Sequence, residues 1–262
     1  MNLRKYGSDS YQCVVVHGGP GAPGSASSLA RQLSTLCGVL EPFQTEKTVC
    51  GQVNELYDQI INNTQHRVFL FGHSWGAWIV FLLAHKHPEI IKKAFLIGSG
   101  VFDVSYLPEL ERRRLRAMNE DEQMEYKRII SLLSEENENN NKNLKRLGEL
   151  AEKADNFCVE MTADNIDELV NIDGNQYKAV WQEASEMRKN GYFIKIAKNI
   201  NCPVRVIHGN NDTTPIEGVI DPIKDYIKDI KWYEIKRCGH SPWKEKYGKD
   251  NFFKIVKDEL NS

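Results

Sequence analysis

One pentapeptide constrains this 262-residue chain more than any other feature: Gly72-His73-Ser74-Trp75-Gly76, set between two apolar runs. Residues 68–71 (VFLF) read as a fully buried strand. Residues 77–84 (AWIVFLLA) are apolar all round, the pattern of a helix inside a core rather than on a surface. A strand that becomes a helix within five residues needs a sharp turn, and a glycine at each end lets neighbouring backbone pass close to it. Taken alone the pattern is weak, because chance supplies a Gly-x-Ser-x-Gly in roughly one chain of this length in ten. Its setting between two buried runs gives it weight. A serine there sits in a strained conformation with its hydroxyl presented; the plainer alternative is a serine that only caps the following helix.

The surrounding pattern supports that setting. Strands are expected at residues 13–17, 38–40 and 94–97, alternating with helices over 27–36 and 49–62. Pro88 ends the buried helix. Such alternation predicts an α/β fold with a mostly parallel sheet covered on both faces. From about Asp103 to Lys198 the chain is charged, helical in pattern and without a convincing strand. Pro108 suits the first turn of one helix, and Asn119 with Glu122 forms a capping-box signature for the next. Residues 135–143 read as a mobile polar loop, and Gly191 as the stop after the helix carrying Trp181. The α/β rhythm resumes with strands at 204–208 and 231–235 and helices over 219–228 and 249–260. Residues 1–102 and 199–262 are therefore expected to form the core, and 103–198 an inserted helical cap.

A serine hydroxyl is a poor nucleophile at neutral pH; it needs a base, and the base needs an orienting carboxylate. Asp212 follows the strand at 204–208 in the loop HGNND. His240 follows the strand at 231–235 in the loop CGHSPW. Both fall just past the C-terminal ends of strands, where α/β sheets place their sites. Ser74, Asp212 and His240 are thus the candidate catalytic residues. Asp221 and Asp225 are alternative acids, but lie on or near a helix. Two backbone N–H groups must face a developing oxyanion: Trp75, directly after the serine, and Gly19 in the loop His17-Gly18-Gly19-Pro20-Gly21. His17 is expected to brace that loop, and His73 to pack beneath the elbow.

HGGPG, GHSWG, HGNND and CGHSPW, in this order, resemble the α/β-hydrolase superfamily, and within it the proline iminopeptidase branch. The resemblance implies release of an N-terminal residue, often proline, from a short peptide. It also implies that cap helices cover the site and that cap carboxylates hold the substrate's amino group. Candidate substrate-binding residues are Glu160 and Glu183, beside Val159, Met161 and Trp181, although ordinary surface glutamates would look the same. Trp181 and Trp75 are candidate pocket walls. The chain departs from the branch twice. Only sixteen residues precede His17, so the sheet should be abbreviated at its N-terminus, and His73 stands where the elbow more often has a second glycine.

Rival readings fail on particular residues. Residues 19–24 form a Gly-x-Gly-x-x-Gly after a strand, with Glu41 further on, but Pro20 and Pro23 lack the N–H groups a pyrophosphate cradle needs. A Walker A loop would need a lysine where Ser25 stands. His85 and His87, two apart, point to different helix faces and suit no metal. Epoxide hydrolase or dehalogenase chemistry would be expected to use a carboxylate in place of Ser74.

Six scattered cysteines without a CxxC pair argue against a disulfide framework or a zinc site and suit a reducing cytosol. A net charge of −2 offers nothing to nucleic acid or an anionic membrane. The run Arg112-Arg113-Arg114, after Glu109 and Glu111, reads as a solvated helix face. No N-terminal apolar run or membrane-length stretch appears. The expectation is a cytoplasmic hydrolase working through an acyl-enzyme, without metal or cofactor, on a peptide or small molecule. It is first an aminopeptidase; the alternatives are a carboxylesterase or related acyl hydrolase, and a small-molecule receptor on the same fold.

Overall fold

A computed structural model of the chain describes residues 2–135 and 138–262. Its strands are β1 (Leu3–Tyr6), β2 (Tyr11–Val16), β3 (Gly38–Pro42), β4 (Val68–His73), β5 (Ile91–Ile97), β6 (Val204–Gly209) and β7 (Ile230–Ile235). They form one sheet in the order β1-β3-β2-β4-β5-β6-β7, parallel throughout except for β1 against β3. β4 is central and buried along its whole length. Because successive side chains point to opposite faces, Val14, Val16, Leu70 and Leu96 enter one apolar cluster, and Val15, Phe69, Phe71 and Phe95 the other. Helices α2 (Val49–Ile61) and α3 (Trp75–Lys86) cover the first face; α1 (Ser27–Leu33) and α10 (Lys249–Leu260) cover the second.

Several boundaries differ from the sequence expectation for identifiable reasons. β1 was not expected at all. Its residues LRKY carry no alternating apolar pattern, yet they pair with β3 (Leu3 opposite Pro42), where the buried Glu41 accepts Tyr6 Oη at 2.8 Å. Residues 3–6 thus form one short antiparallel edge strand. β5 starts at Ile91 rather than 94, because Lys93 is a buried strand residue: its ammonium reaches Glu259 Oε2 on α10 at 2.6 Å. The helix expected over 219–228 is only α9 (Glu217–Ile220), with Pro222 just beyond its end.

Between β5 and β6 the described residues hold helices α4 (Leu107–Arg116), α5 (Glu120–Leu133), α6 (Asn140–Asp155), α7 (Gly174–Lys189) and α8 (Tyr192–Ala197). The Asn119–Glu122 capping box forms in both directions, and Gly191, at φ 66°, follows α7. Of the loop expected over 135–143, residues 140 onward are helix, and 136 and 137 lie outside the described residues. α5 and α6 share an apolar cluster of their own (Ile129, Leu133, Leu144, Leu147, Leu150), whereas α7 and α8 bury Val180, Ala184, Phe193 and Ile196 in the cluster that includes α3.

The expectation of unpaired cysteines needs correcting. Cys13 and Cys37 form a disulfide with a Cα–Cα separation of 6.7 Å. The pair is 24 positions apart in sequence and has no local signature. It becomes close because β2 and β3 lie side by side in parallel, with Cys13 opposite Val39. Among the described residues no helix is long and apolar enough to cross a membrane.

Candidate active site

Ser74 stands between the last residue of β4 and the first of α3, at φ 54° and ψ −113°. It is one of two described non-glycine residues with positive φ, the other being Arg237. Such a conformation costs about 1–3 kcal/mol and persists only where the surroundings impose it. Here they do. Ser74 N–H donates to Ile97 O at 2.9 Å, a Cβ on Gly72 would collide with the Gly76 carbonyl, and one on Gly76 would collide with the Val16 carbonyl. The capping alternative is not met, because the Ser74 side chain makes no cap hydrogen bond.

Asp212 and His240 leave the sheet side by side because β6 and β7 are parallel neighbours, with Gly209 opposite Ile235. The His240 loop crosses tightly over β6, and a Cβ on Gly209 would strike the carbonyls of Cys238 and Gly239. His240 Nδ1–H donates to Asp212 Oδ2 at 2.8 Å. Asp212 is buried; its Oδ1 accepts Thr214 N–H at 2.8 Å, and His208 Nε2 lies 3.3 Å from Oδ2. Burial alone would raise the Asp212 pKa, but the charges of His240 and His208 and two hydrogen bonds outweigh it and hold the carboxyl at about 2. Burial would lower His240, but the adjacent Asp212 charge and hydrogen bond, with Asp155, outweigh it and raise its pKa. The other acids do not compete: Asp221 pairs with Lys224 at 2.6 Å, and Asp225 is exposed.

His240 and the elbow share one corner of the molecule. A Cβ on Gly98 would lie 3.0 Å from His240 Nδ1, and the residue before Gly98 accepts the Ser74 N–H. His73 Nε2 lies 3.2 Å from His240 O, and its ring sits between those of His240 and Trp243. His73 therefore braces the His240 loop, and burial pushes its pKa well down. No hydrogen bond joins Ser74 Oγ to His240 among the described residues; contacts of this kind often tighten only when substrate binds. His17 is fully buried, with Nδ1 2.9 Å from Gly18 O and Nε2 3.4 Å from Gln44 N, and burial holds its pKa at about 4. It joins the glycine loop to the end of β3.

That loop passes beside the serine, so that a Cβ on Gly18 would lie 3.3 Å from Ser74 Cβ. Gly19 has φ 51°, and Trp75 N–H, in the first turn of α3, has no acceptor within the helix. The loop is held from the other side by residues 167–173. Val170 N–H donates to Pro23 O and Asp173 N–H to Gly21 O, both at 2.9 Å. Carbonyls of Glu168 and Asp173 press on Gly24 and Gly21, so the Gly-x-Gly-x-x-Gly face meets acceptors where a nucleotide cradle would present donors.

A second set of contacts escaped the sequence. The chain leaving α6 lies along the His240 loop: His240 N–H donates to Asp155 O and Ser241 N–H to Asn156 Oδ1, both at 2.9 Å. Glu245, fully buried, accepts the N–H groups of Phe157 (2.7 Å), Cys158 (2.5 Å) and Gly239 (3.0 Å). The Asp155 carboxylate accepts Arg114 Nη2 at 2.6 Å and the Thr213 hydroxyl. Asp155 offered one sequence signal, since an acid in the last turn of a helix opposes the helix dipole unless something pairs it. Glu245, between two lysines, offered none. Glu245→Gln retains one acceptor oxygen for three N–H groups and is expected to cost about 2 kcal/mol. A fall in the urea midpoint would register it, and an unchanged midpoint would rule out this role.

Of the substrate-binding candidates, Trp181 is brought to the elbow. Its ring centroid is 6.4 Å from Trp75, 5.9 Å from Trp78 and 6.0 Å from Tyr177. Glu183 is engaged elsewhere, accepting Val49 N–H at 2.7 Å at the start of α2. Glu160 has its backbone tied to Lys244 O, and its carboxylate has no partner among the described residues. Neither glutamate hydrogen-bonds to Ser74 among the described residues. Among the described residues no group of three or more His, Cys, Asp or Glu gathers as a metal ligand set.

A family profile described as the alpha/beta hydrolase fold matches residues 51–247. No curated protein sequence matches the chain. Among solved structures, VinJ aligns with a TM-score of 0.69 at 16% identity, covering 99% of this chain and 94% of that one. A proline iminopeptidase from Mycobacterium smegmatis aligns at 0.62 and 15% identity, covering 99% and 93%. A monoacylglycerol lipase from Paleococcus ferrophilus aligns at 0.59 and 17% identity, covering 98% and 97%. At these identities the likeness is one of fold.

Proposed function

Because this chain belongs to the alpha/beta hydrolase fold family, we propose that it is a serine hydrolase with Ser74 as nucleophile, His240 as general base and Asp212 as the acid that orients it. The observation that carries this reading is the buried Asp212–His240 hydrogen bond beside a serine held at positive φ. Asp212 fixes Nδ1 as the protonated nitrogen, which leaves Nε2 free to take the Ser74 proton as Oγ attacks a substrate carbonyl. Gly19 and Trp75 N–H groups stabilise the oxyanion. The leaving group takes the proton from His240, and water, deprotonated by the same imidazole, releases the acyl group.

For the substrate, the surroundings of the elbow favour a small acyl ester. Trp75, Trp181 and Tyr177 offer apolar wall, whereas an aminopeptidase needs carboxylates facing the serine to pair an ammonium, and Glu183 is occupied by α2. The second reading, an aminopeptidase of proline iminopeptidase type, is supported by the motif order and by the iminopeptidase among the structural relatives. Initial rates on p-nitrophenyl esters and on unblocked and N-blocked amino-acid p-nitroanilides separate the two. Turnover of esters with little activity on any anilide is the expected result. A preference for unblocked over blocked anilides would replace the ester reading with the aminopeptidase one and direct attention to Glu160.

A further inference from the structure

Among the described residues four lysine or arginine side chains are buried, and three have a carboxylate. Lys93 and Arg205 share Glu259, each at 2.6 Å, and Lys244 pairs with Asp167 at 2.6 Å. The fourth is Arg188, near the end of α7. It is 8% exposed, its Nε has no hydrogen-bond partner, and no carboxylate pairs with it among the described residues. Its guanidinium carbon lies 5.1 Å from the Trp78 ring centroid and 5.9 Å from that of Trp181. Aromatic faces stabilise a cation, but a ring face cannot satisfy donors that point outward in the guanidinium plane. Leaving a buried charge without its counterion costs more than such a contact returns. The aromatic contact therefore offsets only part of the cost. Burial lowers the Arg188 pKa to about 10, so the group remains a cation at neutral pH.

The position of this cation links it to the elbow. Trp78 is four residues along α3 from Ser74, about 6 Å of helical rise. Trp181 touches both Trp78 and Trp75, the residue that follows the serine. The same aromatic group thus adjoins the nucleophile at one end and Arg188 at the other. We infer that Arg188 anchors an anionic group of the ligand, so that the substrate carries a carboxylate, or an anion of like geometry, distant from the bond that Ser74 cleaves. This rests on Ser74 being the nucleophile. A carboxylate completes the site because it matches the edge of the guanidinium with two parallel hydrogen bonds.

The test titrates the whole protein with hexanoate and, separately, with hexanamide, which has the same chain without the charge. Trp78 and Trp181 report binding through their emission. Hexanoate is expected to saturate and to bind at least tenfold more tightly than hexanamide, to slow fluorophosphonate labelling of Ser74, and to lose that advantage in Arg188→Met. Arg188→Lys should keep part of it. Equal binding of the two probes, or no binding of hexanoate, overturns the inference, and this comparison needs no variant that must fold. Hexanoate that binds without slowing the labelling would overturn the link to the serine. Absence of labelling even in ligand-free protein would instead defeat the nucleophile assignment, while the emission titration still reads charge selectivity at Arg188.

Discussion

Ser74→Ala is expected to abolish fluorophosphonate labelling and to lower kcat on any ester roughly 10⁶-fold, with the folded state as stable as before. The two halves of this result have separate causes. Activity falls because the variant lacks the hydroxyl proposed to attack the substrate. Stability is retained because the Ser74 side chain makes no cap hydrogen bond that could be lost, and alanine tolerates φ 54° no worse than serine does. Ser74→Gly separates them further. Glycine adopts this backbone without penalty, so the variant should be inactive yet more stable by about 1 kcal/mol. Labelling that persists in either variant would place the nucleophile elsewhere.

Asp212→Asn should lower kcat roughly 10⁴-fold, because an amide can donate to the imidazole and hold it in the wrong tautomer. The pH profile gives a sharper readout. His240 must be neutral to accept the serine proton, so the rate rises with pH as His240 loses its proton. In the native protein burial lowers that pKa, but Asp212 outweighs it and the net shift is upward. Without the Asp212 charge, burial regains weight and the acid limb of kcat/KM should move to lower pH. A limb that stays in place would mean that another carboxylate governs His240. The same pair affects folding in the acid range. The folded pKa of Asp212 is depressed to about 2 from an ordinary 3.8, so its contribution is complete above the ordinary value and is lost as pH falls through about 2.

The positions of Ser74, Asp212 and His240 could be read from sequence because each sits at a strand end, and strand ends are what hydrophobic runs reveal. β4, β6 and β7 are apolar or alternating, and Ser74, Asp212 and His240 follow from counting past them. The same signal failed where a strand buries charge. Lys93 and Arg205 lie on interior strands because Glu259 of α10 meets them there, a pairing across more than fifty residues that no local window contains. The Cys13–Cys37 bond was missed for the same reason, since it depends on which strands are neighbours. Glu183 illustrates the opposite error. Its apolar surroundings suggested a ligand, and the structure uses it to complete the first turn of a helix far away in sequence. Arg188 was invisible because an isolated arginine on an amphipathic helix reads as surface.

The contacts between residues 155–160 and the His240 loop bear on how a substrate reaches Ser74. A cover joined to its base only where the chain enters and leaves can swing about the line between those joints. The helices between β5 and β6 are attached at further places: along the histidine loop, along the glycine loop through residues 167–173, and at and just before the start of α2 through Glu183 and Gln176. A plate fixed at several separated points has no axis to turn on. Movement near Ser74 is therefore expected to be small, of side chains or of α4 and α5 between their fastenings, and a His240 loop sewn to the chain that leaves α6 keeps its position while it occurs.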